Sequence, residues 1–292
     1  MKTFRDELIL LKGSRAFHFE RITELLEKKV HETVLEVNLD AVVHNFNHFR
    51  SKLHRDTKMV CMVKAFGYGA GSYEVAKTLQ EHRCDYLAVA VADEGEALRK
   101  EGISIPIIVM DPEFSSFNVL FERQLEPEVY SFRLLDALMK EAGRRGITSY
   151  PIHIKIDTGM HRLGFRPSDV REICQRLEQQ SSLVVRSVFS HLVGSDSPEH
   201  DEFTRGQIRL FTQSAEALEA GLGYPVLKHI LNSAGIERFT GHQMDMVRLG
   251  ISLYGISASV SEAKKLQPVS SLKTTILQIR DVPAGDSIGY SR

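Results

Sequence analysis

Cysteine is scarce, with only Cys61, Cys84 and Cys174 scattered over 292 residues. An odd count without close pairing fits neither a disulfide framework nor a CxxC zinc site, and a reducing cytoplasm is the simplest setting. Long apolar runs are missing as well. The opening stretch MKTFRDELILLKGSR is charged, and its apolar part is far too short for a signal core or a membrane span. Nor does one charge dominate: 37 Lys and Arg stand against 38 Asp and Glu, a formal net charge of -1. No overall field therefore draws the chain toward nucleic-acid backbones or anionic lipid. What is present is an ordinary globular composition, 42% hydrophobic and 26% charged, in a chain long enough for one barrel-sized core or two smaller ones.

From about residue 58, short β-branched runs alternate with longer helical patterns, the signature of parallel βα units. Eight runs read as strands: KMVCMVK (58–64), YLAVAV (86–91), PIIVM (106–110), PEVYS (127–131), IHIKID (152–157), RSVFSH (186–191), KHILN (228–232) and MVRLG (246–250). Helical patterns between them include EVAKTLQEH, RLLDALMKEAGRRG and FTRGQIRLFTQSAEALEAG, several of which end at a glycine. Eight such units over about 200 residues match a (β/α)8 TIM barrel, with a doubly wound open sheet as the structural alternative. Outside the barrel, ETVLEVNLDAVVHNFNHFRSKL reads as a lead-in strand and helix, and SLKTTILQIRDVPAGDSIGYSR as the start of a further β segment.

Barrel enzymes build their sites at the C-terminal ends of the strands, where the βα loops converge. The unusual polar residues fall there. Lys64 closes the first strand, Asp157 the fifth with Arg162 just beyond, His191 the sixth, Asn232 and Ser233 the seventh, and Arg248 and Gly250 the eighth. Together they outline a cationic, glycine-lined mouth for a phosphorylated, partly anionic ligand. The apolar strand before Lys64 would strip water from its amine, a condition suited to Schiff-base chemistry, although a lysine snorkelling from a strand end has the same pattern. The loop that follows, Lys64-Ala65-Phe66-Gly67-Tyr68-Gly69-Ala70-Gly71, can bring backbone close to a phosphate while the Tyr68 hydroxyl donates to it.

VKAFGYGAG resembles the VKA-x-x-YGHG cofactor signature of bacterial alanine racemases, with Ala70 where that family usually has His. DTGMHRLGF (157–165), SHLVGSD (190–196), LNSAG (231–235), VRLGISLYG (247–255) and the lead-in EVNLDAVVHN (36–45) are similar to further motifs of the family, in the same order. The resemblance covers roughly residues 33 to 292. It implies pyridoxal 5'-phosphate bound to Lys64, which would also act as one catalytic base. Tyr68, Ser233, Gly250 and Ile251 would hold the phosphate, the last two through backbone N–H groups. Arg248 would face the pyridine nitrogen, His191 would pack on the ring and hydrogen-bond to Arg248, and Asn232 would support that face. Arg162 would meet the phenolic oxygen and the substrate carboxylate. Lys155 matches a position that can be carbamylated in the family, though a plain lysine is equally compatible with the sequence.

GDSIGYS resembles the G-x-x-VSYG of the family's second domain, which would make Tyr290 the second base, reaching the opposite subunit of a head-to-tail homodimer. The implied activity is interconversion of L- and D-alanine for peptidoglycan, in the cytoplasm, without nucleic acid, membrane or metal. The implied organisation is 33–257 as the barrel with its lead-in elements and 258–292 as the start of a truncated β domain. Residues 1–32, with ELILLKGSRAFHFERITELL, are similar to the closing segment of the Mur ligase that adds D-Ala-D-Ala, as in a ligase–racemase fusion. A non-catalytic pyridoxal-phosphate-binding barrel, an inactive racemase fragment and a fold-type III decarboxylase are the competing readings.

Overall fold

A computed structural model describes residues 33–290. The ligase-like segment 1–32 lies outside the described residues. The chain divides into two units, one comprising Val37–Ser270 and the other the flanking segments on either side.

The larger unit contains the eight expected strands: β2 (Lys58–Met62), β3 (Tyr86–Val89), β4 (Ile107–Val109), β5 (Glu126–Val129), β6 (Tyr150–Lys155), β7 (Leu183–Phe189), β8 (Leu227–His229) and β9 (Met246–Leu249). All observed pairings are parallel, in the order β8-β7-β6-β5-β4-β3-β2-β9. The β8–β9 seam is joined by Asp245 N–H to Lys228 O at 3.2 Å and Arg248 N–H to Leu231 O at 2.9 Å, so the sheet curls into a nearly closed α/β barrel. The open-sheet alternative is excluded by that seam. β7 begins three residues earlier than its β-branched run suggested, and β8 is reduced to three residues, which leaves His191 and Asn232 in the loops beyond their strands and Ser233 at the start of the helix Ser233–Arg238.

The helices cover the outside because their apolar stripes repeat at helical spacing. Phe132–Arg144, for example, turns Leu134, Leu135, Leu138 and Ala142 onto the sheet, and the Ser131 hydroxyl caps its start by accepting from Leu134 N–H. The lead-in helix Leu39–Arg50 is fastened by buried Asn45, whose amide donates to Leu253 O and Gln267 O and whose oxygen accepts from Gln267 N–H. A buried side-chain amide is tolerated when its hydrogen-bonding capacity is used in this way.

The barrel interior has two unlike halves. Toward β2, β3, β4 and β9 it is apolar, with Val60, Met62, Tyr86, Ala88, Ile108 and Met246 packed together. Toward β5 to β8 it is polar, with buried Glu128, His153, Lys155, Ser187 and His229.

In the smaller unit, β1 (Val34–Val37) pairs with β10 (Ser270–Lys273) in a two-stranded sheet, reinforced by Thr33 Oγ1 to Thr274 Oγ1 at 2.8 Å and a Lys273–Glu36 ion pair. Ile276, Leu277, Ile279, Ile288 and Tyr290 in this unit are exposed. Among the described residues, no helix is long and apolar enough to cross a membrane.

Candidate active site

The C-terminal ends of the barrel strands surround a cavity of about 560 Å³, whose lining includes Lys64, Tyr68, Arg162, His191, Asn232, Ser233, Arg248, Gly250 and Ile251. That volume is within the usual span for a cofactor-sized ligand. Apart from Asp157, which is turned into its own loop, the barrel residues singled out in the sequence therefore lie at one opening. Tyr290 belongs to the smaller unit and is fully exposed.

Lys64 is half-buried where β2 leaves the barrel, and the four residues after it form a left-handed turn. Ala65, Phe66, Gly67 and Tyr68 have φ of 51°, 53°, 60° and 53°. For the non-glycine residues this conformation costs roughly 1–2 kcal/mol each, so something must hold it. Gly67 N–H reaches back to Val63 O, and Gly69 and Gly71 N–H to Phe66 O. The Glu94 carboxylate accepts from Ala65 N–H through one oxygen and from Ala90 N–H through the other, both at 2.7 Å. Behind the turn the Tyr68 ring leans on Tyr254 at 4.7 Å, and the Tyr254 hydroxyl donates to Met62 O. Burial raises the Tyr68 phenol above its ordinary value, so it remains a hydrogen-bond donor at neutral pH.

Tyr68, Ser233 and Gly250 converge on one spot. Gly250 N–H donates to Ser233 Oγ at 2.9 Å. A Cβ on Gly250 would lie 3.5 Å from the Tyr68 hydroxyl and 3.7 Å from Ser233 Oγ, filling the space those hydroxyls border. Asn232 braces this end: its oxygen caps Ser233–Arg238 by accepting from Gly235 N–H and also accepts from Ser195 Oγ, while its amide donates to Leu192 O.

Arg248, on β9, is buried in the same cavity lining, and its guanidinium is thoroughly occupied. It donates to His229 Nδ1 at 2.9 Å, Ser190 O at 2.6 Å, Ile230 O at 3.3 Å and His191 Nδ1 at 3.3 Å. Because arginine can only donate, His229 Nδ1 must accept, which places the His229 proton on Nε2. That proton points to Ser187 Oγ at 3.0 Å, Ser187 to His153 Nδ1 at 2.6 Å, and His153 Nε2 to Glu126 at 2.8 Å. A buried hydrogen-bond relay thus runs from Glu126 to the arginine. Burial pulls the Arg248 guanidinium down to about 10, with Glu128 opposing, and it remains charged at neutral pH. Burial, then the charges of Arg248, Arg162, Lys155 and Lys64, push His191 down to about 3, so it is neutral.

Arg162 is exposed on the loop after β6. Asp157 shapes that loop by accepting from the N–H groups of Gly159 and His161 and from the His161 ring. Gly164 closes it at φ +134°, where a Cβ would sit 2.6 Å from Asp157 N; only glycine fits. Lys155 is buried and donates to Glu128 Oε1 at 2.8 Å.

The sequence reading passed over His229, Glu128, Glu94 and Tyr254. A signal existed for Glu126, Glu128, His153 and Lys155: they alternate in QLEPEVY and YPIHIKI, so each pair shares one face of its strand.

Cations dominate the opening, with Lys64, Lys155, Arg162 and Arg248 gathered against Asp111, Glu128 and Asp196. The same lining carries two hydroxyls and a glycine N–H close together, a proton-locked guanidinium and an amine. That set suits an anionic, ring-shaped ligand with a phosphate tail.

Residues 37–258 match the family described as "Alanine racemase, N-terminal domain". Alanine racemase 2 of Caldanaerobacter subterraneus subsp. tengcongensis is 36% identical over 270 residues, 90% of this chain and 69% of that protein. Among solved structures, alanine racemase of Clostridium difficile 630 superposes with a TM-score of 0.82 at 32% identity, covering 90% of this chain and 70% of that one. The alanine racemase of Bacillus anthracis with bound L-Ala-P gives 0.80 at 32% identity, over 91% and 69%. The barrel, the ordered motifs within it and these similarities agree: the chain belongs to the alanine racemase family.

Proposed function

We propose that this chain interconverts L- and D-alanine with pyridoxal 5'-phosphate held in the barrel opening on Lys64. The observation that carries the reading is that Lys64, the Tyr68, Ser233 and Gly250 cradle and the buried Arg248 line one cavity. The residues fit the cofactor. The phosphate would take the Tyr68 and Ser233 hydroxyls and the N–H groups of Gly250 and Ile251, beside a glycine whose missing Cβ leaves room for it. Arg248 would meet the ring nitrogen, His191 the ring face, Asn232 the support beneath, and Arg162 the phenolic oxygen and substrate carboxylate.

Bound pyridoxal phosphate supplies the electron withdrawal that makes the α-proton of alanine acidic. The protein residues do the rest. Arg248 is fixed by five acceptor atoms and retains its proton at neutral pH, so it would donate to the ring nitrogen without protonating it. This would limit electron withdrawal and so disfavour side reactions. Racemisation needs a proton-transfer group on each side of the carbon. Lys64 Nζ would be one, taking and returning the α-proton at one face. The Tyr290 hydroxyl would be the other, supplied by the opposite subunit of a head-to-tail homodimer. The D-alanine formed would serve peptidoglycan synthesis in the cytoplasm.

α-Deuterium exchange on L- and D-alanine in D2O tests this with the full chain plus pyridoxal phosphate. Exchange from both enantiomers is expected, with at least a hundredfold loss in Lys64→Ala, on the order of what a general base contributes. Cofactor binding without exchange from either enantiomer would favour a binding barrel over a racemase.

A further inference from the structure

Glu128 is the exception to the well-satisfied polar half of the barrel. Its side chain is fully buried on β5, one carboxylate oxygen accepts from Lys155, and the other, Oε2, has no partner among the described residues. A buried polar atom left bare in a cavity wall is a site waiting for a donor. The cavity contains two guanidinium groups. Arg248 is already committed to His229, Ser190, Ile230 and His191. Arg162, on the loop after β6, is exposed and forms part of the same cavity wall as Glu128.

We propose that Glu128 is a positioning residue: its bare oxygen receives the Arg162 guanidinium when the site is loaded, while its other oxygen keeps Lys155 as an ammonium. The pairing gives Arg162 a fixed carboxylate to lean on, so that its remaining N–H groups face the substrate carboxylate. This half of the inference rests on Arg162 binding that carboxylate. The Lys155 half does not. A lysine takes up carbon dioxide only as a free amine: the Nζ lone pair forms the N–C bond, a C=O electron pair moves onto oxygen, and Nζ releases a proton to solvent. Bound to Glu128 as an ammonium, Lys155 has no lone pair to give. Glu128 thus supplies from the chain itself the carboxylate that carbamylation would build on Lys155.

Burial opposes the arrangement, pushing the Glu128 carboxyl up to about 7 and the Lys155 ammonium down, and the attraction between the two resists both shifts. Arg248 and Arg162 add to the pull that keeps Glu128 ionised.

Two measurements test the proposal. The full chain equilibrated with 13C-bicarbonate, without cofactor, is expected to show no lysine carbamate resonance by 13C NMR. A carbamate on Lys155 in the native chain overturns the proposal. In the second, Glu128→Gln is loaded with pyridoxal phosphate and titrated with alanine, following the cofactor absorbance. The half-saturating alanine concentration is expected to rise roughly tenfold, the size of one lost charge-assisted contact, with the alanine-free spectrum unchanged. An unchanged alanine affinity also overturns it. Because the NMR measurement and the titration do not require turnover, a chain that behaves as expected in both yet does not racemise would count against the proposed function and leave Glu128's role standing.

Discussion

The two halves of the barrel interior fill the same space by opposite means. On the β2, β3, β4 and β9 side, Val60, Met62, Ala88 and Ile108 pack without polar partners, and Lys64 leaves this side half-buried. On the β5 to β8 side, the space is filled by the relay from Glu126 through His153, Ser187 and His229, which ends on Arg248. An apolar half needs only volume and shape, and it tolerates conservative change. A buried polar half needs every donor and acceptor in place, and one removal leaves several groups bare. The difference assigns the two cations different work. On the proposed function Lys64 would move protons, whereas Arg248 is held so that its own proton stays put.

Breaking the polar half should have the largest effect. Arg248→Leu uncovers the acceptors on His229, Ser190 and Ile230 at once, and a loss of about 3 kcal/mol in urea unfolding is expected at 1–3 kcal/mol per bare buried group. A loss near zero would mean the relay contributes nothing to holding the barrel.

Acid distinguishes the halves next. Burial, then the charge of Arg248, lowers His229 well below its ordinary value, and His191 is likewise held neutral down to about 3. The unfolded chain protonates these rings below about pH 6.5 while the folded chain does not. Stability conferred by the neutral rings is therefore full above that pH and falls as pH drops toward the folded values. The expected slope is up to about 1.4 kcal/mol per pH unit for the fully buried His229, and less for the partly exposed His191. His229→Asn, which can still accept from Arg248, should flatten the curve of unfolding free energy against pH by about 1 kcal/mol per unit.

In the apolar half, Ile108→Val should cost only about 1 kcal/mol and leave the pH curve unaltered. A pH-dependent change there would erase the contrast. The smallest effect is expected at the Lys64 turn. Phe66 is exposed at φ 53°, so Phe66→Gly should relieve left-handed strain and raise stability by about 0.5–1 kcal/mol, net of glycine's greater chain entropy. Differential scanning calorimetry can detect that gain.

The same contrast explains what the sequence disclosed. Continuous apolar runs such as MVCM and PIIVM announce buried parallel strands, and the polar residue at the end of each run marks the opening. Alternation in YPIHIK, by contrast, ordinarily signals a strand with one wet face. His153 and Lys155 are buried only because the sheet closes around them and other strands supply Ser187, Glu126 and Glu128. Partnership at sequence separations of 27 to 42 residues is invisible in the local pattern, which is why His229 and Glu128 were missed. The glycines of KAFGYGAG hinted at a tight loop, but left-handed geometry at Ala65 and Phe66 depends on hydrogen bonds from the chain ahead and on Glu94, 29 residues away.

Lys64, and neither Lys155 nor a surface amine, is the residue proposed to carry pyridoxal phosphate. The full chain should be incubated with the cofactor, reduced with borohydride to fix any lysine linkage, digested and sequenced by mass spectrometry. One modified peptide, bearing the label on Lys64, is the expected result. A label on Lys155, or one spread over exposed lysines with Lys64 unmodified, would contradict it.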